Sequence, residues 1–362
     1  MPLTNDETLA LIQLARSVEW QYRLDQYTDE SLKVLLDSVK RAEKEVFTGI
    51  ADYASSLPSW VEEQSLALLD YFSDLTVGIR SVIEGGITEL ASEAGASAFV
   101  THNDILSFGG RISNFNPVTV TAEELQGFLT GVPVGGRLLA SWIDSSYASM
   151  AEDIRTSILT GRLQGQDYPT LARRLMEGFG FTRNIASNIT RTYVQSVNSF
   201  AQESIYNRNK DIINRVRWSA ILEPGYKTSG RGTCLRCAAL DGQEFPLDNH
   251  PEVPLHINCR CSLQPVLAPW RSLGVDMTDI RNEYRLYIQT PDQPVGELGG
   301  RTIVESGLHE GDYESWFKQQ NTTFKRNLLG TNRFDLFTSG KIRFKDFIDD
   351  AGRLKTLKEL GV

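Results

Sequence analysis

The sequence predicts a mainly α-helical α+β protein in which a small β-ribbon, gathered around a cysteine/histidine knuckle, sits between helical blocks. Three observations carry this expectation. Apolar residues recur at helical spacing through much of residues 1–85, 137–208 and 313–348. Between the last two blocks the pattern changes to period two. All four cysteines of the 362-residue chain fall within 28 residues, Cys234 to Cys261.

Taken in order, Leu9, Ile12, Ala15 and Val18 predict a first helix, and Leu32, Leu35 and Leu36 a second after Thr28 as N-cap. Pro58 breaks the pattern. Ser59 with Glu62 then opens a helix carrying Val61, Leu66, Leu69 and Phe72, which Gly85-Gly86 is expected to end. Residues 86–137 read as looser, with VTVTAEEL (118–125) a short strand leading to a helix start at Thr121. A long helix is expected from Arg137 to Thr160, with Gly161 beyond its end. Asp167 and Pro169 start the next, placing Leu171, Leu175 and Met176 inward, and Gly178 and Gly180 stop it. Thr182 caps a further helix through Ile185, Ile189, Tyr193, Val197 and Phe200 to about Arg208.

VRWSAIL (216–222) alternates and is rich in β-branched residues, so a strand is expected there. The turn-rich EPGYKTSGRG follows, and Asp241-Gly242 predicts a hairpin tip. In the tail, Tyr313, Trp316, Phe317, Gln320, Phe324 and Leu328 share a helical face that Gly330 ends. Phe334 and Phe337 lie on another helix stopped by Gly340, and Phe344, Phe347 and Ile348 mark a third. The organisation expected is a docking region over 1–137, a core with the knuckle over 138–270, and a helical, basic-aromatic tail over 271–362.

Composition narrows the function class. A 41% hydrophobic and 23% charged chain is a folding sequence rather than a disordered one. No apolar run approaches the ~18–20 residues that span a bilayer, and MPLTNDETLA lacks the basic and apolar regions of a secretory signal, so no membrane role and synthesis in the cytosol are expected. The net charge is −9, against the basic balance of a protein that grips duplex DNA over a large face. The charge is graded: residues 1–160 carry 23 acids and 10 bases, residues 318–362 carry 5 acids and 10 bases. Either this is ordinary solvated surface or the two ends face different partners.

The cysteine pattern is C-x2-C-x18-H-x2-C-x-C, from Cys234 and Cys237 through His256 to Cys259 and Cys261. A C-x2-C turn points two thiolates at one place and H-x2-C can answer from the opposite side, which suits the tetrahedral shell of structural Zn2+. The region is too short and glycine-rich to bury a core, so metal binding would supply folding free energy. Four of the five residues are needed. Cys234, Cys237, His256 and Cys259 are preferred, because the Cys259 and Cys261 sulfurs stand too far apart on a strand unless the chain turns; the all-cysteine set competes. Disulfides or reduced structural thiols are the alternative to zinc. Five donors leave no open position for a catalytic water. Glu244 and Asp241 are the local acids, Asp241 being explained by its turn.

No catalytic motif appears elsewhere: there is no phosphate-binding glycine loop, no H-E-x-x-H and no G-x-S-x-G. No catalytic residue is therefore predicted, and the chain is expected not to be an enzyme. His102 and His309 read as surface or capping residues. His250, His256 and Asn258 superficially supply a His-Asn-His nuclease pattern, but the metal-holding helix should follow, and the next histidine is His309. The aromatic-basic tail (Phe324, Lys325, Arg326, Arg333, Phe334, Lys341, Arg343, Phe344, Lys345) suits either nucleic-acid stacking or, at its helical spacing, core packing.

Four stretches together resemble the phage Mu F-like head-morphogenesis family, also called minor head proteins. They are Leu159-Thr160-Gly161 with Tyr168–Ala172; Asn188–Thr192 opening a helix that ends with Asn198, Ser199 and Ala201; Trp218 with Thr233–Gly242 and Pro254–Cys261; and the tail residues Tyr313–Gln320, Leu329-Gly330, Arg333, Gly340-Lys341 and Phe347–Asp349. The likeness covers roughly 150–362. The sequence departs from the pattern in the extended Gly/Ser loop before Cys234. The resemblance implies a virion component acting in procapsid assembly near the portal, and in genome packaging or ejection. Its implied partners are the portal protein, a scaffold or the major capsid protein, with genomic DNA reached through the basic tail. The implied location is the capsid interior or portal vertex, reached from the host cytoplasm.

Overall fold

A computed structural model describes residues 23–25, 27–41, 62–107, 114–131, 137–145, 168–222, 233–267, 284–289, 305–349 and 352–362, with isolated positions between them. The expected face Leu9–Val18, the break at Pro58, the stop at Gly161 and the loop 223–232 lie outside the described residues. The elements in chain order are a helix through residues 27–41 (α1), α2 (Glu62–Leu106), α3 (Ala122–Gly131), a helical stretch 139–145 (α4) and α5 (Tyr168–Arg208). There follow β1 (Ile213–Ser219), α6 (Leu235–Leu240), β2 (Glu244–Pro246), β3 (Ser262–Leu267), β4 (Tyr284–Gln289) and β5 (Glu305–Glu310). The tail holds α7 (Tyr313–Gln319), α8 (Thr322–Leu329), α9 (Thr331–Thr338) and a 3₁₀ turn, Phe344–Phe347. The protein is mainly helical with a small antiparallel sheet, as the periodicity predicts.

Two compact units result. One comprises Gln26–Gly95 and Thr121–Val197; the other comprises Met1–Asp25, Ala96–Val120 and Asn198–Val362. In the first unit Leu32, Leu35 and Val39 of α1 are buried at the expected spacing. Thr28 is not a cap: it lies inside the helix and is buried. The cap expected at Ser59 lies outside the described residues; α2 is described from Glu62, Gly85-Gly86 does not end it, and the helix runs 45 residues. The reason is packing. A Cβ on Gly86 would lie 2.4 Å from Leu35 Cδ1, so the glycine admits a core side chain; the roughly 1 kcal/mol propensity cost is small beside that contact. Gly178 and Gly180 likewise fail to stop α5, a single 41-residue helix. Before α3 no strand forms, but Thr121 caps as expected: its Oγ1 accepts the Glu124 N–H (3.2 Å) while Glu124 Oε2 accepts the Thr121 N–H (2.8 Å). Arg191, on α5, pairs with Asp29 of α1, both largely buried.

In the second unit the strand order is β2-β1-β3, all antiparallel, with Val216 opposite Phe245 and Trp218 opposite Leu263. The strand expected at 216–222 begins three residues earlier and ends at Ser219. Ile213, Val216 and Trp218 are buried, Trp218 completely. The end of α5 packs on this sheet: Ala201, Ile205 and Tyr206 share its core, and the Tyr206 hydroxyl donates to Leu263 O (2.8 Å). The stretch expected as a ribbon after Cys234 is instead a short helix, α6, followed by a tight turn. Asp241 (φ −56°, ψ 134°) and Gly242 (φ 78°) form the turn, closed by Gln243 N–H to Leu240 O (3.0 Å). Asp-Gly thus joins helix to strand rather than strand to strand. A separate two-stranded ribbon, β4-β5, was not expected.

The tail forms the helices its aromatic spacing predicts, with one more break. Asn321 Oδ1 caps α8 by accepting the Phe324 N–H (2.8 Å), so the face from Tyr313 to Leu328 belongs to two helices. Gly330 (φ 72°) ends α8, and Gly340 (φ 71°) follows α9. Tyr313, Phe317, Phe337 and Phe344 interlock, with ring centroids of Phe317 and Phe344 4.7 Å apart and of Phe337 and Phe344 5.2 Å apart. Phe324, Phe334 and Phe344 are buried in this core. Of the two uses open to the tail aromatics, these residues serve core packing, the use their helical spacing favours.

Candidate metal centre

Cys234 precedes α6 as its N-cap, and its sulfur accepts the Cys237 N–H at 3.5 Å. Because Cys237 lies one turn on, both sulfurs emerge on the same side. Cys237 is buried and Cys234 half-buried. The third donor comes from a turn: Cys259 N–H bonds His256 O (3.0 Å), and Asn258 takes φ 61°, a left-handed conformation asparagine tolerates. His256 Nδ1 lies 2.8 Å from Ile257 O. A carbonyl only accepts, so Nδ1 carries a proton and Nε2 faces the cluster, where it could ligate an ion once the ring gives up its second proton. Nε2 stands 3.2 Å from each of the Cys234 and Cys237 sulfurs.

Cys259 and Cys261 complete the group, both buried. The Cys237 and Cys259 sulfurs are 4.0 Å apart. Cys237, Cys259 and Cys261 place their sulfurs within 4.8 Å of one another, as do the donor atoms of Cys234, Cys237 and His256. Cys261 is therefore not held away by strand geometry. The chain turns at residues 257–258 and β3 starts only at Ser262, so Cys259 and Cys261 precede the strand. Five donors form two overlapping triads that share Cys237. All four cysteines are free thiols.

The donor set could hold a metal ion. Ligands ~2.3 Å from such an ion lie ~3.8 Å apart; three pairs here stand 3.2–4.0 Å apart, while the donors gather as two triads, each within 4.8 Å, rather than as one group of four. The protonation pattern points the same way. Hydrogen bonding from Cys237, then the His256 ring, holds the Cys234 thiol down at about 4. Contacts with Cys237 and Cys261 hold Cys259 well below its ordinary value. Hydrogen bonds with Cys234, Cys259 and Cys261, together with burial, push Cys237 up. Burial pushes Cys261 up. Burial lowers the His256 pKa, but the Cys234 thiolate outweighs it and raises the ring to about 9. The cluster thus already separates negative sulfur from positive nitrogen, and a cation would replace its shared protons.

The remaining candidates lie elsewhere. Glu244 pairs with Arg215 (3.3 Å) and Arg217 (2.6 Å) across the sheet. Asp241 is buried, and its two oxygens accept the Ala220 N–H (2.7 Å) and the Tyr313 N–H (2.8 Å). Neither is placed as a base. His250 Nδ1 lies 3.1 Å from Pro251 O, and Asn258 occupies the turn. His102 and His309 are buried rather than on the surface: His102 Nε2 meets Asn198 Oδ1 (2.9 Å) and His309 Nε2 meets Ser315 Oγ (2.8 Å). The junction role of Asp241 escaped the sequence because its partner Tyr313 is 72 residues away.

Residues 152–264 match the family model described as Phage Mu protein F like protein. No curated protein and no solved structure matches the chain. The matched stretch takes in the whole of α5, β1 and the five cluster residues and stops within β3, so the tail motifs lie outside it. Over residues 152–264, the segment that builds the cysteine/histidine centre, the chain is similar to phage Mu F-like proteins.

Proposed function

We propose that the protein is a phage minor head-morphogenesis protein, a non-enzymatic virion component that acts in procapsid assembly near the portal, with its fold closed by a structural Zn2+ ion. The observation that carries this reading is the convergence of Cys234, Cys237, His256, Cys259 and Cys261 inside the family-matched segment. Four of these residues would hold the ion. Zinc supplies no chemistry to a substrate here; it cross-links α6 to the turn before β3, adding to the core packing of Leu235, Ala238 and Leu240.

The N-terminal region is the docking element for the portal, scaffold or coat. Helices are suited to this because one face packs while the other remains available. No helix among the described residues is long and apolar enough to cross a membrane, and the proposed partners are capsid proteins rather than lipid. Genome contact, in packaging or ejection, would fall to the basic tail. With its aromatics buried, that contact rests on charge alone.

The test has two parts. Elemental analysis of the purified protein is expected to find about one zinc per chain, and Cys234→Ser is expected to lose most of it. Co-expressed with the portal protein, the chain is expected to co-sediment with it or with procapsids. A zinc-free protein with unchanged fold would sink the metal reading; absence from portal and procapsid fractions would sink the assembly reading. Incubation with plasmid DNA and divalent ions is expected to leave the DNA intact. Cleavage abolished by His250→Ala would replace this reading with a nuclease.

A further inference from the structure

We propose that occupancy of the cysteine/histidine centre controls the docking of the C-terminal aromatic module, residues 311–362, with the buried Asp241 carboxylate as the positioning residue that links the two. The proposal rests on the metal reading above.

The centre and the tail meet on α6, a helix of only six residues. So short a helix has little stability of its own. Cys234 and Cys237 at its start belong to the cluster, while Leu235, Ala238, Ala239 and Leu240 lie in the same core as Tyr313, Phe317, Phe344 and Phe347. Two polar contacts fasten the tail to it. Asp241, just past the helix end, accepts the Tyr313 N–H and, with its other oxygen, the Ala220 N–H, joining the sheet, the knuckle and the first tail helix at one carboxylate. Arg236 Nε donates to Gly352 O at 2.5 Å. Inside the tail, Glu314 accepts from Lys318 (2.8 Å) and from the Phe344 N–H (2.9 Å), so what holds α7 also holds the 3₁₀ turn. Tyr313 is fully buried and its hydroxyl has no hydrogen-bond partner among the described residues. Burial first, then the nearby charges of Asp241 and the cysteines, push its pKa up.

An ion that fixes Cys234 and Cys237 fixes α6, and with it the platform on which Tyr313 and Gly352 dock. Removing the ion frees α6 and should loosen the tail without disturbing the other unit. Hydrogen exchange on the intact zinc-loaded protein, with and without chelator, reads this directly. Chelation is expected to lower protection about tenfold or more both at 235–240 and at 313–348, while residues 83–94 keep theirs. Asp241→Asn is expected to retain zinc but lose tail protection by a similar factor, because the amide can accept only one of the two N–H groups. Arg236→Gln, a milder break, should give a smaller loss in the same segment.

Chelation that deprotects 235–240 but leaves 313–348 protected overturns the coupling while sparing the metal reading. Loss of protection at 83–94 as well would mean general unfolding and also overturns it. A protein containing no zinc, unaffected everywhere by chelator, removes the metal reading and the coupling with it.

Discussion

His102 sits buried on α2, its Nε2 against Asn198 Oδ1, which also accepts from Trp20 Nε1 at 2.9 Å. Burial holds its pKa down at about 4, the Asn198 contact opposing only part of the effect. The folded protein therefore keeps this ring neutral where an unfolded chain would begin to charge it near 6.5. Its contribution is fully present above pH 6.5 and is lost as pH falls from there towards 4. Urea unfolding at pH 7 and pH 5 should show wild type losing about 2 kcal/mol more than His102→Gln, from roughly 1.4 kcal/mol per pH unit. Equal losses would show that His102 does not titrate in this way. The same scale contains Asp241. Its position before a glycine suggests only a turn, and the turn is there, but the side chain does something the local pattern does not encode.

Among the elements, the long helices show how glycine can serve packing rather than termination. Gly95 lies where a Cβ would meet Val197 Cγ1 at 2.3 Å and Leu125 Cδ1 at 2.8 Å, so α2, α3 and α5 approach through its missing side chain. Gly85, on the same helix, has nothing within 4 Å. The two positions should respond oppositely to alanine. Gly95→Ala is expected to destabilise by about 1–3 kcal/mol through overpacking. Gly85→Ala should stabilise by roughly 0.5–1 kcal/mol through helix propensity. Chemical denaturation of both variants tests this, and stabilisation by Gly95→Ala would contradict the close approach. Capping followed its sequence signals more faithfully. Thr121 with Glu124 and the glycines around α9 were legible because their partners are three or four residues away. The break at Asn321 was missed because the apolar face continues across it.

For the whole molecule, charge limits what the protein can grip. At −9 overall, with the net negative charge concentrated before residue 160, only the tail favours nucleic acid. Even there Lys318 and Arg343 face Glu314, and Arg353 faces Asp349 and Glu359, which reduces the cations available to phosphate. Duplex DNA binding by the intact protein should therefore be weak and vanish by about 150 mM salt, with a shallow salt slope. Fluorescence anisotropy across a salt series checks this; tight binding at physiological salt would require a basic surface that the tail does not display.

The linear chain by itself settled the helical class, the strand bearing Trp218, most of the tail's apolar spacing and the set of metal-type donors. These depend on periodicity and on chemistry confined to a few neighbouring residues, and such signals survive without knowledge of the fold. Only the tertiary structure decided that Gly86 and Gly95 pass through helices, that Cys261 joins Cys237 and Cys259, and that knuckle and tail share a core. Each depends on atoms brought together from distant positions, such as Arg236 and Gly352, 116 residues apart. Burial and hydrogen bonding at such junctions are properties of the assembled interior, and no local pattern announces them.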